Sequence, residues 1–136
     1  MKPVVQEEKT GCGLACVATL AEVSYGAVKK SAYKLDISSK DPKLWSGTDH
    51  IRTLCATFGI KVAKSENLFQ NWDQLPDCAL LAIKWHKKKG IPFWHWTVFV
   101  REEKSCYVLN PKHNLKTNQR TDFGRVKPKW FIEVFP

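Results

Sequence analysis

The fold is decided first by residues 11–23, GCGLACVATLAEV, where apolar side chains recur almost all the way round a helix. Such a segment is expected to form a helix that is buried in the core. Cys12 stands where this helix begins, and there unpaired backbone N–H groups and the positive end of the helix dipole favour a thiolate. The stretch therefore predicts a buried first helix that starts with a candidate reactive cysteine. A small buried apolar residue is the alternative interpretation of Cys12.

Two more helices are predicted before residue 60. Ser24 is a suitable N-cap for a helix that continues to about Leu35. Thr48 is the expected N-cap of a third helix, in which apolar residues recur at the spacing of one helical face. Gly59 is expected to end that helix.

Residues that favour β-strands dominate after Cys78. Strands are predicted at 60–63, 78–85, 94–101, 106–109 and 130–135, and a short helical turn is predicted within 67–75. The polar turn 102–105 is expected to join two strands into an antiparallel hairpin, whereas residues 86–93 are expected to form a long connection. Helices followed by strands predict an α+β fold, with N-terminal helices packed on a C-terminal antiparallel sheet.

Length and composition indicate one domain over residues 1–136. A hydrophobic fraction of 43% is enough to build a core at this length. The five cysteines are odd in number and no apolar signal segment precedes them, so we expect free thiols and a cytoplasmic location. No run reaches the roughly 18 apolar residues that a membrane span requires.

The net charge of +9 is compatible with several kinds of anionic partner. No nucleic-acid-binding motif occurs, so no nucleic acid is expected. The densest basic run is Lys87, Lys88 and Lys89. It is interpreted either as a solvated loop or as a patch that holds an acidic peptide.

No cofactor or metal is expected. A zinc site built on Cys12 and Cys16 is disfavoured because their spacing lies outside the close cysteine pairs of compact zinc modules. A helix that is apolar all round would also bury Cys16 away from Cys12.

A nucleophilic cysteine needs a base, and the best candidate is His95, near the start of an apolar strand. The hairpin through 102–105 would bring Asn110, which ends the next strand, close to this imidazole, where its side-chain carbonyl can select the ring tautomer. The alternatives are a solvated histidine at a strand end and an ordinary Asn-Pro turn. Gln6, six residues before Cys12, is a candidate second donor to an oxyanion beside the Cys12 N–H.

In this order the residues resemble the papain-like cysteine peptidases. They are more closely similar to the small peptidase domains that trim double-glycine leader peptides in bacterial bacteriocin and peptide exporters. The matching features lie between residues 6 and 111: Gln6, Gly11-Cys12-Gly13-Leu14-Ala15-Cys16, Gly47-Thr48, Leu54, Gly59-Ile60, Leu75-Pro76, His95-Trp96 and Tyr107-Val108-Leu109-Asn110-Pro111.

The resemblance implies a cysteine peptidase with a Cys-His-Asn triad. It implies that Cys12 is the nucleophile, His95 the general base and acid, Asn110 the orienting group and Gln6 the oxyanion-hole donor. The leader peptidases usually carry Asp in place of Asn110, and Asn preserves the hydrogen bond without the negative charge. The resemblance implies a peptide or protein substrate as partner and, if that substrate is a leader peptide, a membrane exporter as well. The sequence indicates no oligomeric state.

Two other functions fit the same residues. One is a cysteine hydrolase of the same broad fold that acts on another amide, such as a peptidoglycan amidase or an effector that modifies host proteins. The other is a peptidase-like domain that binds peptides without cleaving them, and the presence of both Cys12 and His95 argues against it.

Overall fold

The first helix, α1 (Cys12–Ala21), forms where the apolar run predicts it. In the computed structural model, which describes residues 1–135, its residues 12–19 are all buried. The helix packs against the two other helices and against one central strand of the sheet. The expectation of a helix surrounded by core is therefore confirmed.

The next two helices are α2 (Tyr25–Lys34) and α3 (Asp49–Thr57). The Ser24 hydroxyl accepts the Ala27 N–H and caps α2, as predicted. Thr48 precedes α3 but does not cap it, because its hydroxyl instead accepts a hydrogen bond from Arg52 Nε. Gly59 follows the end of α3 at φ 74°, a left-handed conformation that glycine adopts without a steric penalty.

Short elements fill the segments between the helices and the main strands. The expected strand at 60–63 is present as β1 (Lys61–Val62). Of the helical turn predicted within 67–75, only Trp72–Gln74 is helical, as a 3₁₀ turn, because β2 (Asn67–Leu68) pairs with the last strand. A second 3₁₀ turn, Pro42–Trp45, lies before α3.

The sheet is antiparallel and follows the helices, so the α+β prediction is confirmed. Its five remaining strands are β3 (Cys78–Lys88), β4 (Ile91–Glu102), β5 (Ser105–Leu109), β6 (Gln119–Arg120) and β7 (Pro128–Phe135). The strand order in the sheet is β1-β7-β3-β4-β5-β6, with β2 pairing with β7 beside β1.

The long connection expected at 86–93 is wrong, since β3 and β4 form one extended hairpin there. Its turn is Lys89–Gly90, and both residues have positive φ, 54° and 79°, as in the tight turns that match the twist of a hairpin. A bulge interrupts β3 between Ile83 and His86, with Lys84 in a left-handed conformation. The hairpin therefore extends the sheet past His95 as a two-stranded arm.

The sheet carries a core on each face. Trp94, Trp96 and Val98 of β4 belong to the core that the helices cover. Phe99 belongs to the smaller core on the opposite face, together with Leu75, which lies in the loop before β3. Because side chains alternate along a strand, His95 projects from the face opposite to Trp94 and Trp96. No helix in residues 1–135 is long and apolar enough to cross a membrane.

Candidate active site

Cys12 is the first residue of α1, and its side chain is fully buried. Gly11, at the N-cap, has no side chain that could satisfy the first N–H groups of the helix. Burial raises the pKa of the Cys12 thiol, and the N–H groups of Gly13 and Cys12 lower it, as expected at a helix N-terminus. A third N–H, that of Trp96, donates to Cys12 Sγ at 3.5 Å.

Burial outweighs these donors and raises the pKa of the Cys12 thiol to about 11. The helix N-terminus therefore favours the thiolate, as predicted, but burial of the sulfur has the larger effect in the unliganded protein. The reason is that the thiol lies behind other residues, where a charged sulfur loses its hydration. At neutral pH Cys12 is a thiol that must lose its proton during the reaction.

His95 and Asn110 are hydrogen-bonded as the hairpin predicts. Leu109 pairs with Val98, so the chain leaves β5 next to the segment of β4 that holds His95. Asn110 Oδ1 accepts from His95 Nε2 at 2.8 Å, which leaves His95 Nδ1 as the nitrogen that can take a proton. Burial lowers the pKa of His95 to about 4; the Asn110 hydrogen bond raises it, and the charges of Lys84 and Lys112 lower it further.

Asn110 is held by a residue that the sequence analysis missed. Asn118 Nδ2 donates to the backbone oxygen of Asn110 at 2.7 Å and to that of Lys112 at 2.9 Å. The backbone oxygen of Asn118 accepts the Asn110 N–H at 2.7 Å, and the Lys112 N–H donates to Asn110 Oδ1 at 3.0 Å. No local pattern singles out Asn118, because its partners lie six and eight residues away across an irregular loop.

The Cys12 thiol and the His95 imidazole are related through one backbone peptide group. The N–H that reaches Cys12 Sγ belongs to the peptide bond between His95 and Trp96. Within residues 1–135 there is no direct hydrogen bond between Cys12 and the His95 ring. Cys12 and His95 are thus neighbours through the backbone, with both side chains neutral at pH 7.

Gln6 lies beside the same loop, and its side-chain amide donates to two backbone carbonyls. Its backbone N–H donates to Pro111 O at 2.9 Å. Its side-chain Nε2 donates to the carbonyls of Glu8 and Lys9, at 3.0 and 2.9 Å, and so shapes the turn that leads into Cys12. The expected free donor is therefore occupied, since two carbonyls of that turn need partners, and Gln6 Oε1 is left buried without one.

A second imidazole, His50, lies behind the first turn of α1. A methyl group on Gly13 would lie 3.0 Å from His50 Nε2 and 3.2 Å from Trp96 Cδ1, so these two rings would have to shift slightly to accommodate it. His50 Nε2 is buried without a hydrogen-bond partner, and burial lowers the pKa of this ring to about 4. Residues 1–135 contain no cluster of three or more His, Cys, Asp or Glu side chains arranged to hold a metal ion.

A cavity of about 960 Å³ opens beside His95. Its walls come from the N-terminal arm, the loop before α3, the β3–β4 arm and the loop after Asn110. They are Gln6, Lys9, Pro42, Trp45, Lys84, His86, Lys88, Phe93, Trp94, His95, Lys112, His113, Asn114 and Leu115.

The basic run 87–89 is split by the hairpin. Only Lys88 of the three lysines lines the cavity. Lys87 lies over the ring of Trp85, 5.9 Å from its centre, and Lys89 forms the turn. The hypothesis that Lys87 to Lys89 help to hold an acidic peptide stays a prediction, and the alternation of side chains along a strand separates Lys88 from Lys87.

Comparison with known proteins identifies a family and a similar fold. A model of the Peptidase C39 family matches residues 1–127. The fold is similar to that of a double glycine motif protease from an AMS/PCAT transporter, solved in complex with the leader peptide. The TM-score is 0.56 and the identity 11%, over 98% of this chain and 89% of that chain. No significant match was found among curated proteins.

Proposed function

The chain belongs to the Peptidase C39 family of cysteine-type peptidases, and on that premise we propose that Cys12 is its nucleophile and His95 and Asn110 complete the triad. The observation that carries the proposal is the pair of contacts at the start of β4. Asn110 orients the His95 ring at 2.8 Å, and the next backbone N–H of the same strand holds Cys12 Sγ. The pair of contacts spans nucleophile, base and orienting group.

The first half of the reaction forms a thioester. The Cys12 sulfur attacks the carbonyl carbon of the peptide, and the thiol proton passes to His95 Nδ1. Because both groups are neutral beforehand, the proton moves during attack and not before it. The N–H of Cys12 is a suitable donor to the oxyanion, and Gln6 joins it only if its amide leaves one of its two carbonyl partners.

The second half releases both products. The imidazolium gives its proton to the leaving amine as the C–N bond breaks. Water then attacks the thioester with His95 as base, and the S–C bond breaks to return the Cys12 thiol. Asn110 keeps Nε2 engaged throughout, so that Nδ1 remains the nitrogen that exchanges protons.

The finer proposal is that the substrate is a leader peptide or another bacterial peptide, and that the protein acts beside a membrane exporter. It rests on the similarity of fold to a transporter protease that was solved with its leader peptide. We place the reaction in the cytoplasm, where thiols stay reduced, because all five cysteines are free.

The test is digestion of a peptide library prepared from a bacterial proteome, with new termini identified by mass spectrometry. Cys12→Ala is compared with Cys16→Ala, which removes another buried thiol from the same helix. We expect wild type and Cys16→Ala to cleave the same bonds, and Cys12→Ala to cleave none. Thermal unfolding of the three proteins checks that each is folded.

Two results would overturn the proposal. Cleavage by Cys12→Ala at the wild-type bonds would show that another residue is the nucleophile. Absence of cleavage by folded wild type, combined with hydrolysis of peptidoglycan stem peptides or another amide, would assign the triad to a different hydrolase.

A further inference from the structure

The cavity beside His95 is basic. Four lysines line it: Lys9, Lys84, Lys88 and Lys112. They come from three of its four walls. No Asp or Glu is among its lining residues. None of these lysines forms an ion pair with a carboxylate in residues 1–135. Unlike lysines scattered over a solvated surface, these converge on one concave site.

The charges also act on one another and on the base. Burial lowers the pKa of Lys84, and the charges of Lys112 and Arg120 lower it further. Burial is also the main cause of the lowered pKa of His95, to which the charges of Lys84 and Lys112 add. Like charges held this close destabilise the unliganded site. An anionic ligand would relieve this repulsion when it binds.

The rest of the wall is apolar. Trp45, Phe93, Trp94 and Leu115 provide flat or aliphatic surface between the lysines. A ligand that fills the cavity therefore needs apolar side chains as well as negative charge. A free inorganic anion or a uniformly charged polymer would satisfy only half of the wall.

Resting on the proposed function, we propose that the substrate is an acidic peptide whose Asp or Glu side chains pair with Lys84, Lys88 and Lys112 while neighbouring apolar side chains pack on Trp45 and Phe93. The sequence around the cleaved bond is then recognised by charge as well as by shape. Lys84 lies at the bulge in β3, in a left-handed conformation, and is one of the residues that line the cavity.

The chain offers a matched control for this inference. Lys87 and Lys88 are adjacent and both exposed, but only Lys88 lines the cavity. Lys87 lies over Trp85 instead. Changing either one to Glu alters the net charge equally, so a difference between the two variants reports on position.

Binding is measured separately from catalysis, in the Cys12→Ala background. The probes are a fluorescein-labelled peptide that alternates Glu with Leu and Phe, and the same peptide with every Glu replaced by Gln. Fluorescence anisotropy gives Kd at about 50 mM and about 300 mM NaCl. In parallel, wild type digests a peptide library, and the residues on both sides of each cleaved bond are counted.

We expect the Glu peptide to bind about tenfold more tightly than the Gln peptide at low salt, and this preference to shrink at high salt. Lys88→Glu should remove most of the preference, and Lys87→Glu should leave it. Cleaved bonds should be enriched in nearby Asp and Glu.

The proposal is overturned if the two peptides bind equally, if Lys87→Glu weakens binding as much as Lys88→Glu, or if a labelled single-stranded oligonucleotide binds more tightly than the Glu peptide. These outcomes are separate from failure of the proposed function. Cleavage without a charge preference would refute only the acidic substrate, whereas tight binding of the Glu peptide without any cleavage would refute only the peptidase reaction.

Discussion

The His95 imidazole is bound to the Asn110 side chain at 2.8 Å, between Nε2 and Oδ1, although fifteen residues separate them along the chain. The contact exists because the β4–β5 hairpin ends its pairing at Leu109 and Val98, so that the first residue after β5 reaches the imidazole. This hydrogen bond selects the tautomer in which Nδ1 is the free nitrogen, and a base for a cysteine requires that nitrogen to be available.

Replacing Asn110 by Asp should strengthen the base. A carboxylate at the position of Oδ1 favours the imidazolium, so the pKa of His95 should rise from about 4 by roughly 1–3 units. NMR titration of the His95 ring measures this directly. The acid limb of the pH profile of kcat/KM should move to higher pH by a similar amount, and an unchanged ring titration would contradict the orienting role.

Replacing Asn118 by Ala should slow the reaction without weakening substrate binding. Its side chain holds the Asn110 and Lys112 carbonyls, so its loss lets Asn110 move away from the imidazole. We expect kcat to fall about 10- to 100-fold with KM little changed.

Thr117→Ala is the control for Asn118, because the Thr117 hydroxyl bonds only Gln119 nearby. It should retain kcat. If kcat fell equally in the two variants, the loop as a whole would limit the rate, and not the hydrogen bonds that Asn118 makes to Asn110.

Cys12 should react slowly with iodoacetamide in the absence of substrate. With a pKa of about 11, only about one thiol in ten thousand is ionised at pH 7, and the side chain is fully buried. Mass spectrometry of all five cysteines should find Cys106, which is half-buried, modified long before Cys12. Faster modification of Cys12 than of Cys106 at pH 6 would indicate a preformed thiolate.

A methyl group should not be tolerated at Gly11. It would overlap the Tyr25 hydroxyl, which is hydrogen-bonded to the Glu8 carboxylate. We expect Gly11→Ala to lower the free energy of unfolding by about 2–3 kcal/mol in urea denaturation.

Gly26→Ala provides the comparison for Gly11, because a methyl group at Gly26 meets nothing closer than 3.9 Å and the residue lies in α2. That change should raise stability by about 0.5–1 kcal/mol through helix propensity. Similar losses at both positions would mean that crowding at Tyr25 is not the cause.

The protein should lose stability between about pH 6.5 and pH 4. His50 and His95 both have a pKa of about 4 when folded, below the ordinary value of about 6.5. The unfolded chain therefore binds protons in this window that the folded chain does not, so the free energy of unfolding falls as pH drops, by about 3 kcal/mol for each ring.

Urea denaturation at several pH values measures this slope. His50→Leu should remove about half of the slope and leave the part that is due to His95, whereas His113→Gln, at an exposed loop position, should keep the wild-type slope. If His50→Leu kept the wild-type slope, the buried His50 ring would not be a cause of the pH dependence of stability.

The sequence by itself determined the elements and the order of the chemical groups. Helical periodicity placed Cys12 at the start of α1, and the strand patterns around His95 and Asn110 predicted their meeting across a hairpin. These features are local, because helix caps, turns and side-chain alternation depend on residues close together in the chain. The hairpin turn at 89–90 was missed because Lys89 is not among the residues that usually adopt positive φ.

Only the tertiary structure decided how the site is tuned. Three features depend on packing or hydrogen bonds that no periodic pattern encodes. Burial raises the pKa of Cys12, backbone carbonyls accept the N–H groups of the Gln6 amide, and Asn118 hydrogen-bonds to the backbone of Asn110. Likewise, Lys88 lines the cavity and Lys87 does not, because of the path that the hairpin arm follows. Desolvation and charge depend on what surrounds a group in space, and that environment is assembled from distant parts of the chain.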